Sequence, residues 1–230
     1  MQGQSNAINK ALRASDADII GWLNADDVYK PYALERVKTI FETHPEVDVI
    51  SGDLEIINEE GKVVGVSKGR PVLSPVDFFE DNPIHQPATF IRKKALDSVG
   101  LLDESLHYCM DRELWLRIAS AGFRFHYINE CLAQFRLVPG TKTSENGPQF
   151  RLEWIGILGK QAARKGTDTS MILRAISKTV SQYYFGLFND GTGSRRQRIK
   201  HLSLACSYNR ELLLNRGFYK ILLLALLEKS

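Results

Sequence analysis

A short apolar run that ends on an acidic loop constrains the fold of this chain more than any other part of its sequence. Residues 19–23 read IIGWL and predict a buried strand. Before this run, Ile8 and Leu12 lie at helical spacing, and after it an apolar stripe over residues 34–41 predicts a second helix with Pro31 in its first turn. The order helix, strand, loop and helix favours an α/β sheet.

The remaining sequence predicts two regions. The predicted elements after residue 41 are a strand at 47–50, a hairpin formed by 54–57 and 63–66, a strand at 88–92, a helix at 93–99, a helix at 111–122 and a strand at 123–128. Residues 136–147 are irregular, and the chain from residue 148 onward has a helical pattern, interrupted at 189–193. We therefore predict an α/β domain over 1–147 and a helical region over 148–230.

Composition narrows the functional class. The net charge of +3 over 230 residues does not indicate a nucleic-acid partner, and three widely spaced cysteines without a CxxC pair do not indicate a disulfide scaffold or a zinc site. No P-loop, no GxSxG elbow and no complete dinucleotide-binding glycine motif is present. The polar start and the lack of a long apolar run predict a cytoplasmic protein without a membrane span.

The acidic loop is the first candidate site. Asn24, Asp26 and Asp27 follow the predicted strand directly, and strand ends are where open α/β sheets bind ligands. Adjacent carboxylates repel each other unless a cation lies beside them, and hard oxygen ligands suit Mg²⁺ or Mn²⁺ bridging to phosphates. The alternative is that both aspartates only cap the helix that starts near Pro31. Spacing alone does not decide between the two.

A second acidic cluster occupies the first turn of the predicted helix at 111–122. Asp111, beside the apolar Met110 and Trp115, is placed to act as a general base toward a hydroxyl group. Favourable interaction with the helix dipole would also explain an acid there. Among the five histidines, His85 is the one to follow, since it lies in a loop between two prolines.

Four segments in order resemble the bacterial family 2 glycosyltransferases. They are GQSNAINK at 3–10, WLNADD at 22–27, HQPATF at 85–90 and MDRELWLR at 110–117, and the resemblance extends over about residues 3–143. It implies a GT-A fold, a Rossmann-like nucleotide-sugar transferase sheet. It also implies that this chain lacks the first strand, helix and strand of that fold, and that residues 1–147 are a partial GT-A domain.

The resemblance implies roles for the residues of these segments. Asn24 and Asp26 stand in the family's DxD element, so Asp26 would bind the divalent metal, Mn²⁺ or Mg²⁺, with Asp27 in support. Asp111 would be the catalytic base, with methionine at its usual acidic neighbour. The other implied contacts are, on the donor side, Asn9, Asn24, Asp27, Arg136 and Lys142, and, on the acceptor side, His85, Gln86, Glu113 and Trp115.

The expected function is transfer of a sugar, with inversion, from a nucleotide-diphosphate donor to a saccharide or lipid-linked acceptor in envelope polysaccharide synthesis. The alternatives are an inactive remnant or binding module that retains a GT-A-like cleft, and, less favoured, a nucleotidyltransferase. The basic tail, residues 191–220 with seven basic residues and one acid, precedes an apolar run at 221–227. It predicts either peripheral membrane contact or a helix packed on the protein with a solvated basic face.

Overall fold

A computed structural model describes residues 3–138, 140, 147–164, 169–190, 194–209 and 212. The chain divides into two compact units, residues 1–145 and 146–230. Lys142 and residues 213–230, which include the apolar end of the basic tail, lie outside the described residues. The functional assignment of the predicted regions 1–147 and 148–230 stays a prediction.

The first unit is built on one mixed sheet. Its strands are β1 (Ile19–Ile20), β2 (Val28–Tyr29), β3 (Val49–Ile57), β4 (Val63–Ser67), β5 (Thr89–Arg92) and β6 (Phe125–Arg136). They are ordered β1-β5-β3-β6-β2, with β4 also paired to β3. On one edge of β3, Val49–Ser51 pair antiparallel with β5 and Leu54–Ile57 pair antiparallel with β4. The other edge pairs in parallel with β6. A strand enclosed in this way is buried along most of its length, and this burial includes the polar residues Ser51 and Asp53.

Helices cover the sheet. They are α1 (Gln4–Ala14), α2 (Ala33–Thr43), the short α3 (Asp77–Glu80), α4 (Lys93–Val99) and α5 (Met110–Ser120), with a 3-10 turn at Gln86–Ala88. The core joins α2, through Val37 and Phe41, to Ile50, Phe90 and Leu132 of the sheet. Burial of such side chains contributes about 1.5–3 kcal/mol each.

The second unit is helical. It contains α6 (Gly147–Ala162), α7 (Thr169–Asn189) and α8 (Arg195–Tyr208), in which α6 packs on α7 and α7 packs on α8. Ser194 begins α8 with a capping box in which its hydroxyl and the side chain of Gln197 bond each other's backbone N–H groups. In the described part of the chain, no helix combines the length and the apolar composition that crossing a membrane requires.

Two strands differ in length from the sequence prediction. The predicted strand at 19–23 is a ladder only at Ile19–Ile20, because the carbonyl of Trp22 accepts a hydrogen bond from the Gln86 side chain instead of from a neighbouring strand. The predicted strand at 123–128 is the longer β6, Phe125–Arg136, which pairs with β3 on one edge and with β2 on the other.

Candidate active site

The acidic loop lies at the end of the sheet and is held by Arg136. The backbone N–H of Arg136 donates to Asp27 Oδ1 at 3.1 Å, just past the end of the ladder between β2 and β6. The Arg136 guanidinium donates to the carbonyls of Asp26, Asn58 and Glu59 at 3.1, 2.9 and 3.0 Å. One arginine therefore joins the acidic loop to the turn of the β3–β4 hairpin.

The two carboxylates of the loop have different environments. Asp27 is 6% exposed, and burial raises its pKa although hydrogen bonds from the Arg136 backbone and the Asn24 side chain act in the opposite direction. Asp26 is exposed, and its carboxylate accepts no hydrogen bond from the described residues. Asp27 thus fixes the loop while Asp26 presents its oxygens outward.

The capping alternative for these aspartates is wrong. Helix α2 begins at Ala33, its N-cap residue is Tyr32, and no side chain caps it. Asp27 lies five positions before Tyr32 and is followed by strand β2, so neither aspartate reaches the helix start.

Gln86 connects the acidic loop to the segment before β5. Its side-chain amide donates to the carbonyl of Trp22 at 2.5 Å and accepts from Asn24 Nδ2 at 3.3 Å. Asn24 Nδ2 also donates to Asp27 Oδ2 at 3.1 Å, and Asn24 Oδ1 accepts from Gln4 Nε2 at 3.2 Å. The Asn24 amide therefore orients the loop; its predicted contact with a nucleotide stays a prediction.

Helix α5 presents Asp111 in its first turn, partly buried. The helix start is fixed on two sides. The Ser5 hydroxyl of α1 donates to Met110 Sδ at 2.7 Å, and Arg112 Nε donates to the carbonyl of Phe78 at 3.1 Å. Burial lowers the pKa of Arg112 to about 10. The apolar residue beside Asp111 is thus a contact point between two helices.

Two residues with predicted substrate contacts, Asn9 and Glu113, make their hydrogen bonds within the protein. Asn9 is 1% exposed, and its side-chain amide exchanges two hydrogen bonds with the backbone of Leu102, at 2.9 and 3.0 Å. Glu113 accepts from Arg117 Nε at 2.8 and 2.9 Å, in a pair less than 20% exposed. The Arg117 guanidinium also binds carbonyls at 99–101. These contacts favour structural roles for Asn9 and Glu113 over substrate binding.

His85 is partly buried behind the loop. Burial lowers the pKa of His85, against the opposing effects of the backbone contact with Lys68 and the charge of Asp53. Its Nε2 atom has no hydrogen-bond partner among the described residues. Asp53 itself is buried and accepts from Tyr127 and from Lys68. This polar group in the middle of β3 was not foreseen from the sequence.

An aromatic pair completes the site. The indoles of Trp22 and Trp115 stack with ring centroids 5.3 Å apart and planes at 20°. Trp115 is fully buried, whereas Trp22 is partly exposed. The predicted acceptor contact by Trp115 is therefore blocked by Trp22. Trp22 has no predicted role. Its position directly before the acidic loop is the one sequence signal for it, and that position alone does not indicate stacking on Trp115.

The residues fit a divalent cation bound mainly by the substrate. Within the described residues, no three His, Cys, Asp or Glu side chains cluster closely enough to hold a metal by themselves. Asp26 offers hard oxygen ligands for which no described side chain competes. Mg²⁺ and Mn²⁺ use one or two carboxylates and complete their shells with phosphate oxygens and water.

Comparison with known sequences gives a consistent picture. Residues 1–100 match the model of glycosyl transferase family 2. The amylovoran biosynthesis glycosyltransferase AmsE of Erwinia amylovora is 30% identical over 139 residues, covering 58% of this chain and 50% of AmsE. An uncharacterized glycosyltransferase of Methanocaldococcus jannaschii is 25% identical over 138 residues, covering 59% of this chain and 47% of the relative. The chain spans about half the length of these two curated relatives.

Solved structures show the same fold. S. aureus TarS 1–349 in complex with UDP-GlcNAc superimposes with a TM-score of 0.59 at 13% identity, over 90% of this chain and 62% of TarS. The mannosyltransferase PcManGT from Pyrobaculum calidifontis, in complex with GDP-Man and Mn²⁺, gives 0.52 at 14% identity, over 100% of this chain and 68% of PcManGT. The predicted GT-A fold, with a helical C-terminal region, is confirmed.

Proposed function

We propose that this chain, whose residues 1–100 match the model of glycosyl transferase family 2, transfers a hexosyl group from a nucleotide-diphosphate sugar to an acceptor hydroxyl, with inversion. The observation that carries the proposal is that the two aspartates of the acidic loop have different environments. Arg136 and buried Asp27 hold the loop in place, and the exposed Asp26 carboxylate accepts no hydrogen bond from the described residues.

A divalent cation at Asp26 would supply positive charge where the leaving diphosphate gains negative charge. The protein's own part is to place that charge. One guanidinium bond and one backbone bond from Arg136 hold the loop, and two further guanidinium bonds anchor Arg136 to the hairpin turn, so little reorganisation is needed during the reaction. Asn24, bonded to Asp27 and Gln86, keeps the loop aligned with the segment that precedes β5.

Asp111 is the proposed general base. The acceptor hydroxyl would lose its proton to the Asp111 carboxylate while its oxygen bonds to the anomeric carbon and the bond to the diphosphate oxygen breaks on the opposite face. One displacement of this kind inverts the anomeric configuration. The Ser5–Met110 and Arg112–Phe78 contacts hold the helix start that carries Asp111, which supports precise positioning.

The substrates are proposed from the names of relatives. TarS and PcManGT were solved with UDP-GlcNAc and GDP-Man, and AmsE is named for amylovoran biosynthesis, which supports a nucleotide-sugar donor and a saccharide or lipid-linked acceptor in polysaccharide assembly. We further propose that the protein acts in the cytoplasm, at the membrane surface, with its basic tail against anionic lipid.

The roles of Asp26 and Asp111 can be separated by substitution in the full chain. Asp111→Asn removes basicity and should cut turnover by roughly a hundredfold to ten-thousandfold with donor affinity unchanged. Asp26→Asn should weaken Mn²⁺-dependent donor binding, with partial recovery at excess Mn²⁺. The measurements are UDP or GDP release from UDP-GlcNAc and GDP-Man with methyl glycosides as acceptors, and calorimetric donor binding.

Asp16→Asn is the matched control, because Asp16 is an exposed aspartate in the loop before β1. It should leave both quantities unchanged. Near-normal turnover of the Asp111→Asn protein, or an equal loss of donor binding in the Asp111 and Asp26 variants, would contradict the assigned roles.

A further inference from the structure

In the stacked pair of indoles, Trp115 is buried and Trp22 is accessible to solvent. Trp115 of α5 is fully buried, and its indole N–H has no hydrogen-bond partner among the described residues. Trp22 lies on it at 5.3 Å and is partly exposed. The only hydrogen bond of Trp22 within the described chain is the one that its backbone carbonyl accepts from the Gln86 side chain. Its indole N–H is therefore available to a ligand.

Trp22 lies between the two parts of the proposed machinery. In sequence it precedes the acidic loop directly, two positions before Asn24 and four before Asp26. Through Trp115 it rests on the helix that carries Asp111, and residues 111 and 115 share a helical face because they are four positions apart. A molecule stacked on Trp22 would thus be close to both.

Trp22 and Arg136 have different partners. The partners of Trp22 are Gln86 and Trp115, whereas Arg136 bonds Asp26, Asp27 and the hairpin turn at 58–59. Trp22 is therefore joined through Trp115 to the helix of the proposed base, and it makes no hydrogen bond or ring contact with the arginine among the described residues.

We propose that Trp22 is a stacking platform for the pyranose ring of a saccharide acceptor, with Trp115 as its rigid support. The chemistry of the surface fits such a ring. The C–H groups on one face of a pyranose pack against the negative face of an indole, and the free indole N–H can donate to a ring hydroxyl at its edge. The inference rests on the proposed transferase function, and it specifies the acceptor as a sugar.

Saturation-transfer NMR on the full chain tests the platform directly. The probes are methyl α- and β-glycosides of glucose, galactose and mannose at millimolar concentration. At least one should bind the wild-type protein, and Trp22→Ala should weaken that binding roughly three- to tenfold, the range expected for the loss of one aromatic contact. Trp22→Phe keeps a ring but lacks the N–H donor, so its affinity should be intermediate.

Tyr208→Ala is the matched control, because Tyr208 is a 46% exposed aromatic residue that stacks on Tyr184 in the other unit. It should bind the glycosides as the wild type does. Failure of all six probes to bind, or unchanged binding by Trp22→Ala, would overturn the proposal. So would a loss confined to UDP-GlcNAc or GDP-Man, because the platform would then serve the donor.

Donor hydrolysis keeps the two hypotheses distinguishable. Mn²⁺-dependent release of UDP or GDP by the wild-type protein reports the proposed transferase function, separately from glycoside binding. Glycoside binding without any nucleotide release would refute the transferase function and leave the platform standing. Nucleotide release with glycoside binding insensitive to Trp22 would refute the platform alone.

Discussion

Replacing Arg136 with alanine should release the acidic loop from the hairpin turn. The substitution removes the guanidinium bonds to the carbonyls of Asp26, Asn58 and Glu59 but keeps the backbone bond to Asp27. Asp27 also loses the nearby positive charge that opposes the effect of its burial, so its pKa rises further above the ordinary value. Both effects act on the loop that is proposed to hold the cation.

The magnitude follows from the contacts. A hydrogen bond from a charged group contributes about 1.5–3 kcal/mol when it is well buried. Arg136 is partly exposed, so water replaces part of each lost contact, and we assign about 1 kcal/mol to each of its three guanidinium bonds, or about 3 kcal/mol in total. For a chain of this size that corresponds to a fall in Tm of roughly 6–12 °C. The Kd for Mn²⁺ measured with UDP present should rise by about tenfold.

Arg36→Ala provides the matched comparison. The Arg36 guanidinium makes two hydrogen bonds, both to Glu130, but these two side chains are 44% and 39% exposed. Arg36→Ala should therefore lower the free energy of unfolding by only about 0–1 kcal/mol. Urea denaturation followed by circular dichroism gives the free energy of unfolding of both variants, and electron paramagnetic resonance gives free Mn²⁺. Equal stability losses in the two variants, or unaltered Mn²⁺ affinity in Arg136→Ala, would refute the reasoning.

Two further predictions concern charge. Burial raises the pKa of Asp27, so the stability that Asp27 contributes falls as pH rises above 3.8. The pKa of Asp53 is lowered by Lys68 in spite of burial. The stability that Asp53 contributes is therefore lost as pH falls toward and below 3.8. The substitutions Asp27→Asn and Asp53→Asn should therefore change the slope of urea-derived stability between about pH 3 and pH 7 in opposite directions. On α8, the exposed Arg196 and Lys200 should support docking to anionic vesicles, and replacing both with glutamate should weaken co-sedimentation at least about tenfold.

The controls are simple. Lys62→Glu changes an exposed charge in the turn of the β3–β4 hairpin and should leave vesicle binding as it is. Equal binding by wild type and the double variant would remove the membrane proposal for α8. Parallel slopes for the Asp27 and Asp53 variants would contradict the opposite pKa shifts.

Elements whose ends are set locally were predicted well. Helix α4 was predicted at 93–99 and occupies Lys93–Val99, because Gly100 ends it with a φ of 85°, a conformation that glycine adopts without strain. The start of α5 was within one residue of its prediction for a similar reason, since its apolar spacing and first-turn acids are local signals.

Features that depend on distant partners were not predictable. The sequence gives no sign that Asn9 would bond the backbone of Leu102, 93 positions away, so a motif asparagine was assigned to the donor. The burial of Trp115 under Trp22 depends on the folded chain and leaves no local sequence signal. The sequence therefore predicts an acceptor contact for a residue that the fold buries. The length of β6 likewise depends on partners on both of its edges.

The position of Arg136 at the end of β6 has a consequence for the order of folding. The β3–β4 hairpin closes a five-residue connection and can form early, whereas the parallel pairing of β3 with β6 must close the long connection between Ile57 and Phe125. The bond between Arg136 and Asp27 spans 109 positions and cannot form before β6 lies beside β2. During synthesis from the N-terminus, the acidic loop therefore remains unassembled until residue 136 has left the ribosome, and competence to bind a cation is acquired after most of the sheet is already in place.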